Sequence, residues 1–357
     1  MAKNLADSHG IGIALKSGAG RAAPLESSFQ SRARSFGQET RGIAAHSGIP
    51  KEAHMAQLIK PEEKLETIGK VSLTRILVTT DLTPESDHAL DYAISLARRY
   101  NSRIYLAHVI SPDPFFYSEP ALAATTYEKV RQAAELGIAG ILASGKLRGI
   151  SHEVSLQEGN VWPALEELMK KHEIELVVTG THSRGTVQKL LLGSVAEEIF
   201  RQADCPVLTL GPQAHPAPGP GVEYKNILFA TDFGAGAKKA AAYAFSLAQE
   251  HASRLHLLHV IQEPAAFSED SIRRQKDAMI ERLRQLIPDG AECWCKTELR
   301  ACYGEPTEEI LRHAREYNAD LIVMGAKTRS NLAGHFPVTI AHNVVTKATC
   351  PVLTVRG

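Results

Sequence analysis

Residues 175–200 read ELVVTG-THSRGTVQKLLL-GSVAEEIF, a strand pattern, a loop bounded by glycines and a helix start. The apolar, β-branched run that ends at Gly180 is typical of a buried parallel strand. The segment from Ser194 has acidic residues in its first turn and predicts an amphipathic helix. Glycines let a ligand approach the backbone, and free N–H groups at a helix start bind anions. The stretch therefore predicts a nucleotide-phosphate loop at the carboxyl end of a parallel strand.

The composition excludes several classes of protein. The chain has 357 residues, enough for two ordinary domains, and a formal net charge of zero. A neutral chain lacks the basic field that attracts nucleic acid or anionic membranes. No apolar run approaches the roughly 20 residues that span a bilayer, and no signal-peptide core is evident. We therefore expect a cytoplasmic protein without a nucleic-acid or membrane partner. Its five cysteines, an odd number, do not suggest a disulfide framework.

The chain divides into a tail, two similar halves and a linker. Residues 1–71 are rich in Gly, Ser, Ala, Arg and Gln and are predicted to be a disordered N-terminal tail. Residues 72–212 alternate strand and helix patterns, which predicts a parallel sheet. In this half Thr83 is predicted to cap the first helix, with Pro84 at its first position. Residues 213–221 form a Pro/Gly linker, and residues 222–357 repeat the first half.

The repeat is visible residue by residue. Asp81 recurs as Asp232, 151 positions later, and Gly180 recurs as Gly325, 145 positions later. Further matched positions are His108 with His259, Gly159 with Gly304, Cys205 with Cys350, and the helix face Leu90, Ala93, Ile94 and Ala97 with Ala241, Ala244, Phe245 and Ala248. The chain therefore contains two homologous α/β units.

Taken together, these residues resemble the universal stress protein family. Both repeats open with a strand ending in Thr-Asp, carry His-Val at the end of the second strand, and begin the last strand with Cys-Pro-Val. The quoted loop follows the family's Gly-x-x-Gly, nine residues, Gly-Ser pattern, with Ser183 in place of the second glycine. The resemblance implies an α/β fold of two tandem, doubly wound, five-stranded parallel-sheet domains, Rossmann-like and similar to the adenine nucleotide alpha hydrolases. It covers both repeats and leaves out the tail.

The resemblance also implies an ATP site in the first repeat, often with Mg²⁺ on the phosphates. The strand end at Thr80 and Asp81 would meet the ribose or the adenosine side, and Val109 would contact adenine. A purely structural reading, in which Asp81 only caps its turn, stays open. His182 is included because it lies inside the loop. The residues expected around the phosphates are Gly180, His182, Ser183, Arg184, Gly193, Ser194 and Val195.

The second repeat departs from the pattern at its loop. Thr328 stands at the second glycine position and Val338 at the third, and Pro337 alters the entry to the helix. A Cβ atom at both glycine positions blocks close approach of a phosphate to the backbone. We therefore expect one competent site and one degenerate site.

Three other motifs receive structural readings. Residues 140–147 nearly match a P-loop, but Leu147 replaces the hydroxyl residue and the motif ends a helix. Cys293, Cys295 and Cys302 lack a fourth ligand nearby, which argues against zinc. The paired histidines, His108 and His259, are predicted to be structural because both occupy the same strand end.

The sequence thus predicts a stress-response nucleotide-binding protein in which ATP occupancy regulates partner or oligomer contacts. The resemblance implies an internal pseudo-dimer through the last strands, residues 207–209 and 352–354, and a homodimer is an open possibility. One alternative is a nucleotide-free interaction scaffold. Another is a slow ATPase, although no residue stands out as a base that activates water, so no catalytic residue is assigned.

Overall fold

The computed structural model describes residues 14–16, 71–83, 86–111, 120–181, 193–217, 219, 221–262, 268–326 and 339–357. A short strand, β1 (Ala14–Lys16), comes first. The first repeat then contains β2 (Arg75–Thr79), α1 (Asp87–Tyr100), β3 (Arg103–Ile110), α2 (Pro120–Ala143), β4 (His152–Glu158), α3 (Val161–Lys171), β5 (Leu176–Gly180), α4 (Ser194–Gln202) and β6 (Val207–Leu210).

The second repeat has the same order of elements. It contains β7 (Asn226–Ala230), α5 (Ala235–His251), β8 (Arg254–Ile261), α6 (Glu269–Gln285), β9 (Lys296–Tyr303), α7 (Pro306–Glu316), β10 (Leu321–Ala326), α8 (Ile340–Lys347) and β11 (Val352–Arg356). This confirms the predicted fold class, two tandem α/β Rossmann-like domains.

The described strands form one continuous sheet in the order β1-β4-β3-β2-β5-β6-β11-β10-β7-β8-β9. Within each repeat the pairing is parallel. The chain leaves the first strand of a repeat to one side, then returns and continues on the other side. The order therefore reverses between β2 and β5 in the first repeat and between β7 and β10 in the second. Ligands of doubly wound sheets bind in the crevice at such a reversal, outside the carboxyl ends of the strands.

The two repeats meet through their last strands, as predicted. β6 and β11 pair antiparallel, with Leu208 opposite Leu353. Arg356, in β11, donates a hydrogen bond of 2.8 Å to the carbonyl of Gln202 at the end of α4. Just beyond β6, Gly211 packs so closely that a Cβ atom would overlap the carbonyl oxygen of Val345 in α8. Backbone pairing, a side-chain bond and a close glycine contact therefore join the repeats into one sheet.

A single hydrophobic cluster covers one face of the sheet across both repeats. It includes the predicted helix faces of α1 and α5, all of whose eight residues are buried. The opposite face carries two clusters, one per repeat, and Ala196 of α4 belongs to the cluster of the second repeat. Because the first cluster is shared, we expect neither repeat to bury its apolar surface without the other.

The ends of α1 and α5 are also joined across this shared face. The Tyr100 hydroxyl lies 2.7 Å from His251 Nε2, and Arg99 donates to the carbonyl of Glu250 at 2.9 Å. Burial lowers the pKa of His251 to about 4, so the ring is neutral at pH 7. A neutral ring leaves Nδ1 free to accept the Tyr224 N–H, 3.4 Å away.

The structure corrects one detail of the prediction and adds one. The first helix begins at Asp87 with Ser86 as its N-cap, so the prediction of Thr83 as the cap is wrong. Asp81 takes both donors of Thr83, its N–H and its hydroxyl, and draws that residue into the preceding turn. Strand β1, inside the segment predicted to be disordered, pairs in parallel with β4.

None of the described helices combines the length and apolar character that crossing a bilayer requires. All five cysteines are free thiols. Burial raises the pKa of Cys205 and of Cys350 to about 12. Both thiols therefore remain protonated at neutral pH and act as small apolar side chains.

Candidate functional site

The candidate site of the first repeat lies at the reversal between β2 and β5. A hydrogen bond of 2.9 Å joins the hydroxyls of Thr79 and Thr179. Thr79 is the last residue of β2, and Thr179 is the last but one of β5. Beyond this bond β2 continues into Thr80 and Asp81, and β5 continues into Gly180 and Thr181. These four residues come from two neighbouring strands and therefore surround one crevice. The sequence alone could assign them only to separate strands.

Asp81 is held in a tight turn with half of its carboxylate in use. Its Oδ1 accepts the N–H of Thr83 at 3.0 Å and the Thr83 hydroxyl at 2.6 Å. Leu82, between them, has a positive φ of 62°. The other oxygen, Oδ2, is buried and has no hydrogen-bond partner among the described residues. Since a buried carboxylate oxygen without a partner is costly, Oδ2 is an acceptor that a bound hydroxyl could satisfy.

Thr80 supports this turn from within the protein. Its hydroxyl lies 2.8 Å from the Ser86 hydroxyl and accepts the N–H of Leu82 at 3.0 Å. Its carbonyl accepts a hydrogen bond of 2.7 Å from His108 Nδ1. Thr80 therefore fixes the position of Asp81, and all of these contacts are made within the chain.

Thr181 provides a second unsatisfied buried group at the same edge. Its side chain is 2% exposed, and its Oγ1 has no hydrogen-bond partner among the described residues. Its carbonyl accepts the N–H of Gly193 at 2.8 Å, which brings the two ends of the loop together. The sequence did not single out Thr181. The available signal was its position, directly after the glycine that ends β5.

Two helices that begin at this edge, α3 and α4, have no side-chain caps among the described residues. Gly193 is the N-cap of α4, with φ −62° and ψ 151°, and Asn160 is the N-cap of α3; neither side chain caps its helix. The first N–H groups of a helix lack partners within the helix and carry a partial positive charge. The start of α4, next to Thr181, is therefore suited to an anion such as a phosphate.

In the second repeat the corresponding helices cap themselves. Thr339, which matches Ser194, accepts the N–H of His342 at 3.2 Å and so caps α8. Glu305, which matches Asn160, accepts the N–H of Glu308 at 2.8 Å and caps α7. These side chains occupy helix N–H groups that a phosphate would need, and Glu305 adds a negative charge at the same edge.

The backbone at the carboxyl edge of the second repeat is also more tightly packed. A Cβ atom on Gly325 would lie 2.5 Å from the backbone nitrogen of Ala237, in the first turn of α5. A Cβ atom on Gly180, the matching residue, would meet no described atom within 4 Å. Asp232 is exposed, and its Oδ1 accepts the N–H of Gly234 at 2.9 Å. Asp81 and Asp232 therefore make equivalent turns, and only Asp81 holds a buried, unsatisfied oxygen.

The two matched histidines stabilise the strand ends. Nδ1 of His259 donates to the carbonyl of Thr231 at 2.8 Å, and His108 makes the same bond to Thr80. Burial lowers the pKa of His259, which favours the neutral ring. Because both rings make the same backbone contact, they have the structural role that the sequence predicted.

One group of three potential metal ligands occurs among the described residues, and it lies in the second repeat. It consists of Cys302, Glu309 and His313. Arg312 donates to both carboxylate oxygens of Glu309, at 2.6 and 3.3 Å, and His313 Nδ1 donates to the Glu309 carbonyl at 2.9 Å. The Arg312 bond is the main cause of the lowered pKa of Glu309. With its carboxylate already paired to a guanidinium, this group is a closed polar network and a poor cation site.

Part of the predicted site lies in the described residues. Asp81, Val109, Gly180, Gly193 and Val195 all lie at the carboxyl edge of the first repeat, with Thr80 behind Asp81. Ser194 is the first residue of α4, and its side chain is outside the described set. The remaining predicted residues, His182, Ser183 and Arg184, and the second-repeat positions Thr328, Pro337 and Val338, also lie outside it.

Comparison with known proteins matches each repeat to the same family. Residues 72–210 and 223–356 both match the model of the universal stress protein family. A universal stress protein of Mycolicibacterium smegmatis is 26% identical over 300 residues, covering 79% of this chain and 96% of that protein. One from Thermus aquaticus, described as lying in the QAH/OAS sulfhydrylase 3′ region, is 34% identical over 145 residues, covering 37% of this chain and 99% of that protein.

Solved structures share the architecture of the whole tandem unit. A universal stress protein of Archaeoglobus fulgidus has a TM-score of 0.57 at 20% identity, covering 80% of this chain and 98% of that chain. A putative universal stress protein of Pseudomonas aeruginosa has a TM-score of 0.52 at 17% identity, covering 80% of this chain and 94% of that chain. At these identities the likeness establishes the fold alone.

Proposed function

Since the chain belongs to the universal stress protein family and carries two of its domains, we propose that it binds ATP in the first repeat only. Occupancy of this site then regulates contacts with a partner or with a second copy of the chain. The observation that carries the proposal is the pair of buried, unsatisfied oxygens, Asp81 Oδ2 and Thr181 Oγ1, beside the uncapped start of α4.

Each part of the nucleotide finds a chemically suitable group at this edge. The ribose hydroxyls donate to Asp81 Oδ2, which has no other described donor. The phosphates lie at the start of α4, where the free N–H groups and the helix dipole favour negative charge. Val109 and Val195, which are half-buried, offer apolar surface to the adenine. Mg²⁺ would be held by the phosphate oxygens of the nucleotide.

The second repeat serves as a structural counterpart in this proposal. The starts of α7 and α8 are capped by Glu305 and Thr339, and Asp232 is exposed. The repeat still supplies half of the shared hydrophobic cluster and the strand that pairs with β6. Loss of its own ligand site is therefore compatible with a requirement for the repeat in folding.

Helix α4 offers a route from the nucleotide to the rest of the chain. Its N-terminus is the proposed phosphate position. Ala196, in the first turn, packs in the hydrophobic cluster of the second repeat, and the carbonyl of Gln202 accepts a bond from Arg356. Burial lowers the pKa of His342 in α8, and Glu197 of α4 partly opposes this effect, so the two helices are close enough to interact electrostatically. A small shift of α4 on binding would therefore act on the contact between the repeats.

A matched pair of substitutions tests the site. Asp81→Ala removes the proposed ribose acceptor and should weaken ATP binding about 10- to 100-fold, the usual effect of losing a hydrogen bond to a charged group. Asp232→Ala removes the equivalent turn contact, to Gly234, and should leave the ATP affinity within about 2-fold. Isothermal titration calorimetry with Mg-ATP measures both. Equal affinities of the two variants would exclude the first-repeat site, and a wild type that binds no ATP would favour a nucleotide-free scaffold.

A further inference from the structure

Trp162 is a large aromatic side chain at the edge where the nucleotide is proposed to bind. It is the second residue of α3, which begins just after the carboxyl end of β4. The residue is half-buried and packs against the hydrophobic cluster formed by β2, β3, β5, β6, α3 and α4. Because Trp162 is only partly buried, part of its surface stays accessible at the start of α3.

Val109 and Val195 are half-buried against the same cluster as Trp162. Val109 is near the end of β3 and lies opposite Gln157 of β4, a few residues before Trp162. Val195 is in the first turn of α4, next to the proposed phosphate position. Because α3 and α4 both start at this edge and pack on the same face of the sheet, the three side chains form an apolar rim, defined here as Val109, Val195 and Trp162.

In the described part of the second repeat, Val260 and Ile340 match the two valines, but the position that matches Trp162 is not aromatic. Thr307 stands at the position that matches Trp162 and is 3% exposed. Next to it, Cys302 replaces Gln157, and Arg312 binds Glu309 in the closed polar network described above. The repeat in which α3 and α4 lack side-chain caps therefore also carries an aromatic residue at the start of α3.

We propose that Trp162 determines base specificity at the nucleotide site, with its indole packing against the purine of the bound nucleotide. This inference rests on the proposed function, since it assigns the base side of the same site. An aromatic ring stacks better on a two-ring purine than on a pyrimidine, and stacking does not require hydrogen bonds to particular base atoms. The site should therefore prefer purine over pyrimidine nucleotides.

The test compares Trp162→Ala and Trp162→Phe with the wild type, using ATP, CTP and inorganic triphosphate as ligands. Trp162→Ala should weaken ATP binding about 10- to 100-fold and reduce the preference for ATP over CTP, as expected for loss of base stacking. Trp162→Phe should keep most of the affinity. Binding of triphosphate, which has no base, should be the same in all three proteins.

Tryptophan fluorescence gives a second, independent measurement. The chain has two tryptophans, and Trp294 packs edge-on against Phe245 in the shared cluster. In a Trp294→Phe background Trp162 is the sole tryptophan, and ATP should change its emission whereas triphosphate should not. This measurement needs no substitution at Trp162, so it holds even if Trp162→Ala folds poorly.

The outcomes separate this inference from the proposed function. If ATP binds and is lost in Asp81→Ala, but neither Trp162→Ala nor the emission of Trp162 responds, the base lies elsewhere and the inference is wrong while the site stands. If the wild type binds no ATP, both are wrong. An equal loss of triphosphate and ATP binding in Trp162→Ala would also overturn the inference, because it would indicate a disturbed phosphate position.

Discussion

Replacing Gly193 with aspartate is expected to weaken ATP binding at least about 100-fold in a protein that still folds. Gly193 has extended N-cap geometry, with φ −62° and ψ 151°, which aspartate adopts readily. The new carboxylate would accept the N–H groups at the start of α4 and place a negative charge where the phosphates are proposed to lie. Competition for the donors and like-charge repulsion then act together. Calorimetry with Mg-ATP measures the affinity, and a thermal melt checks that the protein is folded.

Two controls make this prediction specific to the phosphates. Thr339→Asp exchanges one side-chain cap for another at the equivalent helix of the second repeat, so ATP affinity should not change. Adenosine, which has no phosphate, should bind Gly193→Asp about as well as it binds the wild type. A Gly193→Asp protein that keeps its fold and binds ATP normally would show that the start of α4 does not hold the anion.

Replacing Gly211 with alanine is expected to destabilise the whole chain by about 2–3 kcal/mol. The added Cβ atom would overlap the carbonyl oxygen of Val345, a backbone atom that moves only with α8. Gly211 follows β6 directly, so relief of the overlap would disturb the pairing of β6 with β11. Because one hydrophobic cluster spans both repeats, we expect a single unfolding transition, shifted to lower urea concentration.

The matched control is Gly221→Ala, at the other end of the linker. A Cβ atom on Gly221 would meet no described atom within 4 Å, so this variant should unfold within about 0.5 kcal/mol of the wild type. Equal stability of the two variants would mean that the backbone around Gly211 shifts to accommodate the Cβ atom without a cost in stability. Two separate transitions in Gly211→Ala would mean that the repeats do not share one cooperative core.

Much of the fold could be predicted because the two repeats carry the same pattern of strands and helices. The matched positions Asp81 and Asp232 fix the ends of β2 and β7, and the buried positions of α1 recur in α5. The pairing of β6 with β11 followed from the family resemblance. Strand β1 was not predicted, since three residues carry no periodicity and its pairing with β4 depends on a contact distant in sequence.

The candidate site was predicted less completely, because burial, hydrogen-bond partners and helix caps depend on the tertiary structure. Asp81 and Asp232 follow matching threonines, Thr80 and Thr231, just after matching strands, yet only Asp81 has a buried oxygen without a described partner. Thr181 was passed over because a threonine at a strand end is ordinary in sequence. The contrast between Gly193 and Thr339 as N-caps depends on where each helix begins, and boundaries are the least reliable part of sequence interpretation.

The number of ATP molecules bound per chain tests the central claim most directly. Equilibrium titration of the full-length protein with Mg-ATP, followed by calorimetry, should give one site per chain, because the helix starts at Glu305 and Thr339 are already capped. The same stoichiometry should persist in Asp232→Ala. Two equivalent sites, or one site that survives Asp81→Ala and is lost in Asp232→Ala, would contradict the assignment of the nucleotide to the first repeat.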